Sequence, residues 1–347
     1  MISINLILLL VVLIIISTMC SCYTNIETFD GTSTLLTYYN EHKLFPFRIL
    51  CDENRKPLEM VALTAFLRTD EDVKRFNEFK ENNIKIIGIT AYKSFPRPIL
   101  DNSADNAMNN YFDYIGNIKN WLCCFKDANY YGFTGANNLI DISESDFYDI
   151  DESPPVEKKY DLIYSCLADE KDSCSMDGWN AINRNFKLAL ACLPILINEY
   201  KFKVLILGRM NCGLEEKYGN MIEVLDMLPY HEFQEKLKQS RLLFIPNIFD
   251  ASPRVICEAI TKDVPVLMNK NILCGSKYIN QETGEFFIDE NDLRVSLNNL
   301  LKRKDTMSPK KWWKANYSKS TSGKKLRDFL YPEYKEILEH VKEVHLY

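Results

Sequence analysis

From residue 60 onward, short apolar blocks alternate with longer amphipathic ones, the pattern of strands and helices that build a parallel sheet covered on both faces. Residues 60–67 read as a strand. Thr69-Asp70-Glu71-Asp72 then supplies an N-cap and an acidic first turn, Val73, Phe76 and Phe79 recur at helical spacing, and Asn82-Asn83 closes the helix. Residues 84–90 form the next strand, mostly apolar as parallel strands are. Residues 105–121, with Tyr111, Phe112 and Tyr114, suggest a helix, whereas 122–140 show no clear period. In the second half, residues 160–165, 203–207, 242–245 and 264–268 read as strands. Residues 183–199, 232–239 and 253–261 read as helices among them, with Pro194 predicting a kink in the first. Residues 331–343 read as a final amphipathic helix.

Two segments break this rhythm. Residues 6–16 are an unbroken aliphatic run in a stretch without charge from Met1 to Asn25, so residues 1–22 are expected to be a signal peptide or membrane anchor. Residues 23–45 read as a linker. Residues 141–155 hold six acids, no base and Pro154-Pro155, and are expected to be a solvated connection between an N-terminal lobe over 46–150 and a C-terminal lobe over 156–347. Ser143-Glu144-Ser145-Asp146 and the Asp-x-Asp of Asp149-Ile150-Asp151 fall inside it and are assigned to solvent rather than to a cleft or a metal.

A length of 347 residues suits two domains, each large enough to bury a core without staples. The net charge of -6 argues against nucleic-acid binding. Eleven Cys without a C-x-x-C pair, and only four His, give no metal-site spacing, so most Cys are expected to be small core residues. Residues 302–327 carry ten Lys or Arg against one acid, with Trp312-Trp313 among them, which suits an anionic membrane surface, a charged acceptor or a solvated face. Asn316-Tyr317-Ser318 is a glycosylation sequon, meaningful only in the secretory lumen. The abundance of Lys, Ile and Asn suits an AT-rich genome such as that of a large DNA virus.

The segment richest in chemistry runs from residue 242 to 287. A strand ends at Pro246, and Ser252-Pro253 opens a helix with a preferred N-cap and a proline at the first helical position. Free backbone N–H groups at such a start, at the carboxyl ends of parallel strands, make an anion site. Asp250 precedes the helix and Glu258 lies on it. Two carboxylates beside a phosphate-binding helix start suit a nucleotide-sugar, one gripping the sugar and the other the ribose. Trp179 is expected to pack in the core.

Phe244-Ile245-Pro246, Asp250-x7-Glu258-Ala259 and Val264-Pro265-Val266 resemble the donor-site signature of group 1 glycosyltransferases, the glycosyltransferase family 4 proteins of GT-B fold. Asp250 stands for the first Glu of that signature and Asp263 for its usual Gly. Thr283-Gly284-Glu285-Phe286 is similar to the family's later turn, Lys159 to Tyr164 to the strand opening its donor domain, and Val204 to Gly208 to the next strand and its Gly. The stretch from Val224 to Leu242, with Pro229, His231 and Phe233, resembles the one before the family's donor loop. Arg184-Asn185 stands where the family often has Lys-Gly. The resemblance covers about residues 158–290. The family's early Gly-rich loop and its N-terminal His have no counterpart, since His42 lies in the linker.

The resemblance implies an α/β fold of two Rossmann-like lobes with parallel sheets, the N-terminal lobe reduced. It implies transfer of a sugar, with retention, from a UDP- or GDP-sugar to a glycan, lipid or protein acceptor, with no metal and no cofactor beyond that co-substrate. Asp250, Glu258 and Arg184 would be the catalytic set, with Arg184, Ser252, Pro253, Arg254 and Gly208 at the donor phosphates and Glu258 and Val255 at the nucleoside. Membrane association or a secretory location follows from the N-terminal segment. The alternatives are a degenerate fold that binds a nucleotide-sugar or a protein without turnover, or an epimerase, which would need a G-x-G-x-x-G absent here.

Overall fold

The computed structural model describes residues 44–91, 94–97, 112–128, 132–169, 174–250 and 254–347. The hydrophobic segment over 1–22, the linker over 23–43, His42 and the helix start at Ser252-Pro253 lie outside them. Among the described residues no helix is long and apolar enough to cross a membrane.

Two sheets organise the chain. The first holds β1 (Phe47–Cys51), β2 (Pro57–Leu63), β3 (Lys85–Ile89), β4 (Asn120–Leu122) and β5 (Asn138–Ile140). The second holds β6 (Leu162–Ser165), β7 (Val204–Leu207), β8 (Ile222–Leu225), β9 (Leu243–Ile245), β10 (Val266–Asn269) and β11 (Gly284–Phe287). The last strand, β12 (His345–Leu346), returns to the first sheet. The orders are β12-β1-β2-β3-β4-β5 and β11-β10-β9-β6-β7-β8. The second sheet is parallel throughout. The first is parallel from β2 to β5, with β1 antiparallel to both β2 and β12. Each sheet has an apolar core on both faces, which is why its strands read as continuous apolar runs. These are two Rossmann-like α/β lobes.

Local sequence explains several elements directly. Thr69 caps the helix Asp70–Glu81 in a full capping box with Asp72, and Phe76 and Phe79 bury its inner face. Gly208, just past β7, has φ +89°, and a Cβ there would sit 2.8 Å from the Cys166 carbonyl oxygen after β6. Only glycine lets the two strand ends approach so closely. The helix expected over 183–199 is three pieces: Trp179–Asn183, Phe186–Pro194 and a π-helical turn Ile195–Glu199. Asn185 at φ 50° makes the first break, and Pro194, which lacks an N–H, marks the second.

Other expectations change. In the region expected as a helix over 105–121, the described part holds one short helix, Tyr114–Asn117, and then β4. The final helix expected over 331–343 is a single turn, Lys335–Leu338. The 302–327 region forms parts of three helices, Leu293–Arg303, Pro309–Asn316 and Lys319–Leu330. Trp313 is fully buried, with its ring against Tyr317 at 4.7 Å, so this tryptophan belongs to a core rather than to a membrane-facing patch. Leu326, Leu330, Leu338 and Val344 pack beside Leu50, Met60 and Ala62 of the first sheet. Residues 319–347 therefore pack with the first lobe, although the sequence division placed them in the second.

The acidic segment between the lobes is not solvated over its length. Ser143, Ser145 and Asp146 are buried, with Asp146 1% exposed. Asp146 accepts from Lys277 Nζ at 2.8 Å, from the Tyr278 hydroxyl and from its own Ser143 N–H at 3.2 Å, while Ser322 Oγ donates to its carbonyl at 2.7 Å. Asp149 accepts from the Lys319 N–H at 2.9 Å, which helps start the helix Lys319–Leu330. Asp151 is bridged by Lys238 at 3.2 Å and Lys262 at 3.7 Å. Burial alone would raise the Asp151 pKa, but hydrogen bonds from Ser153 and Lys238 outweigh it and hold the carboxyl below its ordinary range. A depressed carboxyl stabilises the fold above its unfolded value, and that stability is lost as pH falls through the folded value. Asp151→Asn should therefore lower the denaturation midpoint at pH 7, with the gap to the parent closing below about pH 4. Parallel denaturation curves at pH 7 and pH 3 check this, and an unchanged gap at pH 3 would refute it.

Candidate functional site

In the second sheet the strand order reverses between β6 and β9, which lie side by side. Ligands of open α/β sheets bind in the crevice at the carboxyl ends of the strands beside such a reversal. A cavity of about 450 Å3 lies there, lined by Ser165 of β6, Leu207 of β7 and Ile245 of β9. Arg184, Asn247, Asp250, Arg254, Val255 and Glu258 also line it.

Local breaks in the chain deliver these side chains. Arg184 ends the helix Trp179–Asn183, with Asn185 left-handed behind it, and its carbonyl accepts from the buried Tyr164 hydroxyl at 3.1 Å. Asp250 sits in the loop after β9. The Ile248 N–H bonds the Asn183 carbonyl at 3.1 Å, and the Asp250 carbonyl accepts from the Cys274 N–H at 3.1 Å. Glu258 lies on the helix Arg254–Ile260 and is only 6% exposed.

Arg184 Nη1 and Asn247 Nδ2 both donate to Asp250 Oδ2, the latter at 3.0 Å. Among the described residues the bond to Asp250 is the guanidinium's one side-chain hydrogen bond, so other donors of the group can take a further partner. Glu258 Oε1 accepts from the Tyr148 hydroxyl at 3.1 Å, and Tyr148, Tyr230, Phe233 and Val255 line the same cavity. Burial first, and then the Glu258 charge, push the Tyr148 and Tyr230 hydroxyls above the ordinary phenol range. Both therefore remain hydrogen-bond donors at neutral pH. The cavity thus brings together the Arg184–Asp250 pair and the buried Glu258 beside Tyr148 and Tyr230, with Arg254 close enough to act on both phenols.

Behind the cavity, Arg209 is fully buried, with its guanidinium 4.6 Å from the Phe186 ring centroid and 3.4 Å from Asp169 Oδ2. Asp169 in turn accepts the Asn180 N–H at 2.6 Å and the Ala181 N–H at 3.2 Å, capping the helix that presents Arg184. A disulfide joins Cys174 and Cys212, in the loops after β6 and β7, across a separation of 38 residues. Closing a loop of that length stabilises by roughly 3–4 kcal/mol in the chain-entropy account. Reduction, or Cys174→Ser with Cys212→Ser, should lower the unfolding free energy by about that much. Denaturant titrations with and without reductant measure it, and coincident curves would refute the prediction. Six of the free cysteines, Cys51, Cys123, Cys166, Cys192, Cys257 and Cys274, are buried as small core residues.

Of the residues singled out in the sequence, Asp250, Glu258, Arg184, Arg254 and Val255 line one cavity. Gly208 does not line it; its neighbour Leu207 does, and the glycine instead permits the close approach of β6 and β7. Trp179 is 54% exposed rather than in the core. Its helix is only five residues long. Asn247, Tyr148 and Arg209 escaped the sequence. Asn247 directly follows Pro246 of the strand motif, which is a local signal, whereas Tyr148 lies in the acidic segment with no signal at all. Among the described residues no group of three His, Cys, Asp or Glu side chains could hold a metal ion.

No protein-family model matches the chain, and no curated protein matches its sequence. Solved structures do resemble its fold. The GtfA/B complex covers 80% of this chain at 13% identity with a TM-score of 0.52, and this chain spans only 57% of that one. The lipopolysaccharide outer core galactosyltransferase WaaB, in its apo form, covers 78% at 12% identity with a TM-score of 0.52, and this chain spans 75% of it. The two α/β lobes, one with a wholly parallel sheet and one parallel from β2 to β5 rather than throughout as expected, joined by a C-terminal segment that crosses back to the first, give this chain the GT-B fold seen in those structures.

Proposed function

We propose that the protein is a glycosyltransferase that moves a sugar from a nucleotide-sugar to a glycan, lipid or protein acceptor with retention at the anomeric carbon. One observation carries this: Arg184 and, 66 positions further on, the Asp250 and Glu258 pair converge on one cavity at the strand reversal of a parallel sheet. The donor would lie with its nucleoside toward Tyr230 and Glu258, its diphosphate at Arg184 and its sugar at Asp250. As the bond from the anomeric carbon to the diphosphate breaks, charge builds on the leaving oxygen, and Arg184 stabilises it more in the transition state than before. The acceptor hydroxyl supplies the new glycosidic oxygen, and its proton passes to the departing phosphate. Arg184 is already paired with Asp250, so a bound diphosphate shares a guanidinium that is pre-oriented and need not be gathered from solvent.

The test is a thermal-stability screen of the full chain against UDP-, GDP- and ADP-sugars, followed by an assay for transfer with the class that binds. A ligand at one hundred times its dissociation constant stabilises by about 2.7 kcal/mol, which a melting curve resolves. Stabilisation by one nucleotide class and release of its nucleoside diphosphate on turnover support the proposal. Folded protein that responds to none of the three overturns the donor site. Binding without transfer or hydrolysis favours a non-catalytic nucleotide-sugar binder.

A further inference from the structure

Glu258 is a buried carboxylate with an incomplete set of partners. Its Oε1 accepts from Tyr148, and among the described residues no group hydrogen-bonds Oε2. A carboxylate removed from water needs several hydrogen bonds to offset its lost hydration. Oε2 is not sealed off in the protein but opens on the cavity, where a bound ligand can take the place of water as its donor. Two adjacent hydroxyls, as on a ribose, match the two oxygens of a carboxylate.

Among the described residues, the side-chain donor that reaches Glu258 lies outside the sheet and helices of its lobe. Tyr148 lies in the segment between β5 and β6. Its backbone carbonyl accepts from Trp313 Nε1 at 2.8 Å, and that indole is fully buried. The phenol is therefore fixed at its backbone by Trp313 and at its hydroxyl by Glu258. Two residues upstream, Asp146 is bonded to Lys277 and Ser322, so the whole segment is held in place.

We propose that Tyr148 is a positioning residue that holds the Glu258 carboxylate for the vicinal hydroxyls of a ribonucleotide, so that the interlobe segment sets the preference for ribose over deoxyribose. This rests on the donor-site assignment above. Tyr148 lines the nucleoside end of the cavity, yet its role runs through Glu258 rather than through the reacting atoms.

The experiment is calorimetric titration of the full chain, parent and Tyr148→Phe, with UDP, GDP and ADP and with their 2′-deoxy counterparts. Phe keeps the ring and leaves the Trp313 bond to the backbone intact, and an unchanged melting temperature without ligand verifies the fold. The parent should bind one ribonucleoside diphosphate at least tenfold more tightly than its 2′-deoxy form. In Tyr148→Phe the ribonucleotide should weaken about tenfold while the 2′-deoxy form changes less than threefold, so that the ratio collapses. A retained ratio, or equal weakening of both ligands, overturns the inference and leaves the donor site standing. A parent that binds none of the diphosphates overturns the donor site and this inference together.

Discussion

Lys277→Met should lower the unfolding free energy by about 3–5 kcal/mol at pH 7, the scale for removing one partner of a buried ion pair. Lys277 bridges two acids, Asp146 at 2.8 Å and Asp141 at 2.9 Å. Burial opposes its charge, but the two carboxylates outweigh that and hold the ammonium above its ordinary value. Burial pushes the Asp146 carboxyl up despite the pull of Lys277. Without Lys277 that carboxyl is left with the Tyr278 hydroxyl and one N–H, and its pKa must rise further. A group whose folded value lies above its unfolded one is relieved by acid, so the deficit of the variant should narrow from pH 7 to pH 5. The paired change Lys277→Met with Asp146→Asn removes both charges and should cost less than Lys277→Met alone. Urea titrations of the three proteins at both pH values test this. A loss below 1 kcal/mol for Lys277→Met would mean that the interlobe segment is not held by this pair.

Arg184→Ala should cut kcat for transfer by about 100- to 1000-fold, the range seen when a group that stabilises developing negative charge is removed. Two effects act together. The diphosphate loses its cation, and Asp250, with a side chain only 11% exposed, loses its counter-charge and repels the donor. Arg184→Lys keeps the charge but not the planar fork that can hold a carboxylate and a phosphate at once, so it should recover only part of the loss. If Arg184→Ala kept kcat within threefold of the parent, the guanidinium would not face the leaving group.

The second lobe was legible because its signals are local. Each of β6, β7, β9 and β10 is a short apolar run ended by a polar residue, a Gly or a Pro, and the Asp250 to Glu258 spacing lies within one loop and one helix. The Thr69 capping box likewise spans four residues. What the sequence hid depends on partners far along the chain. Asp146 looks like one more acid in a solvated run, and only Lys277, 131 residues later, makes it a buried one. The donation from Tyr148 to Glu258 spans 110 positions. β5 has just three residues, too few for a periodicity, and is set by its pairing with β4. Residues 331–343 have helical periodicity, but the segment must turn back to deliver β12, and tertiary pairing overrides propensity there.

The pairing of β12 with β1 bears on how the protein is made. A ribosome makes β1 before, and β12 after, all six strands of the second sheet. Domains usually complete folding in the order of synthesis. Here the second lobe has its whole sheet first. Until residues 319–347 arrive, β1 keeps an open edge, and the face with Leu50, Met60 and Ala62 lacks its cover. An open edge beside an uncovered apolar face invites pairing with other chains. The nascent first lobe should therefore be the part of this protein that depends most on chaperones during translation.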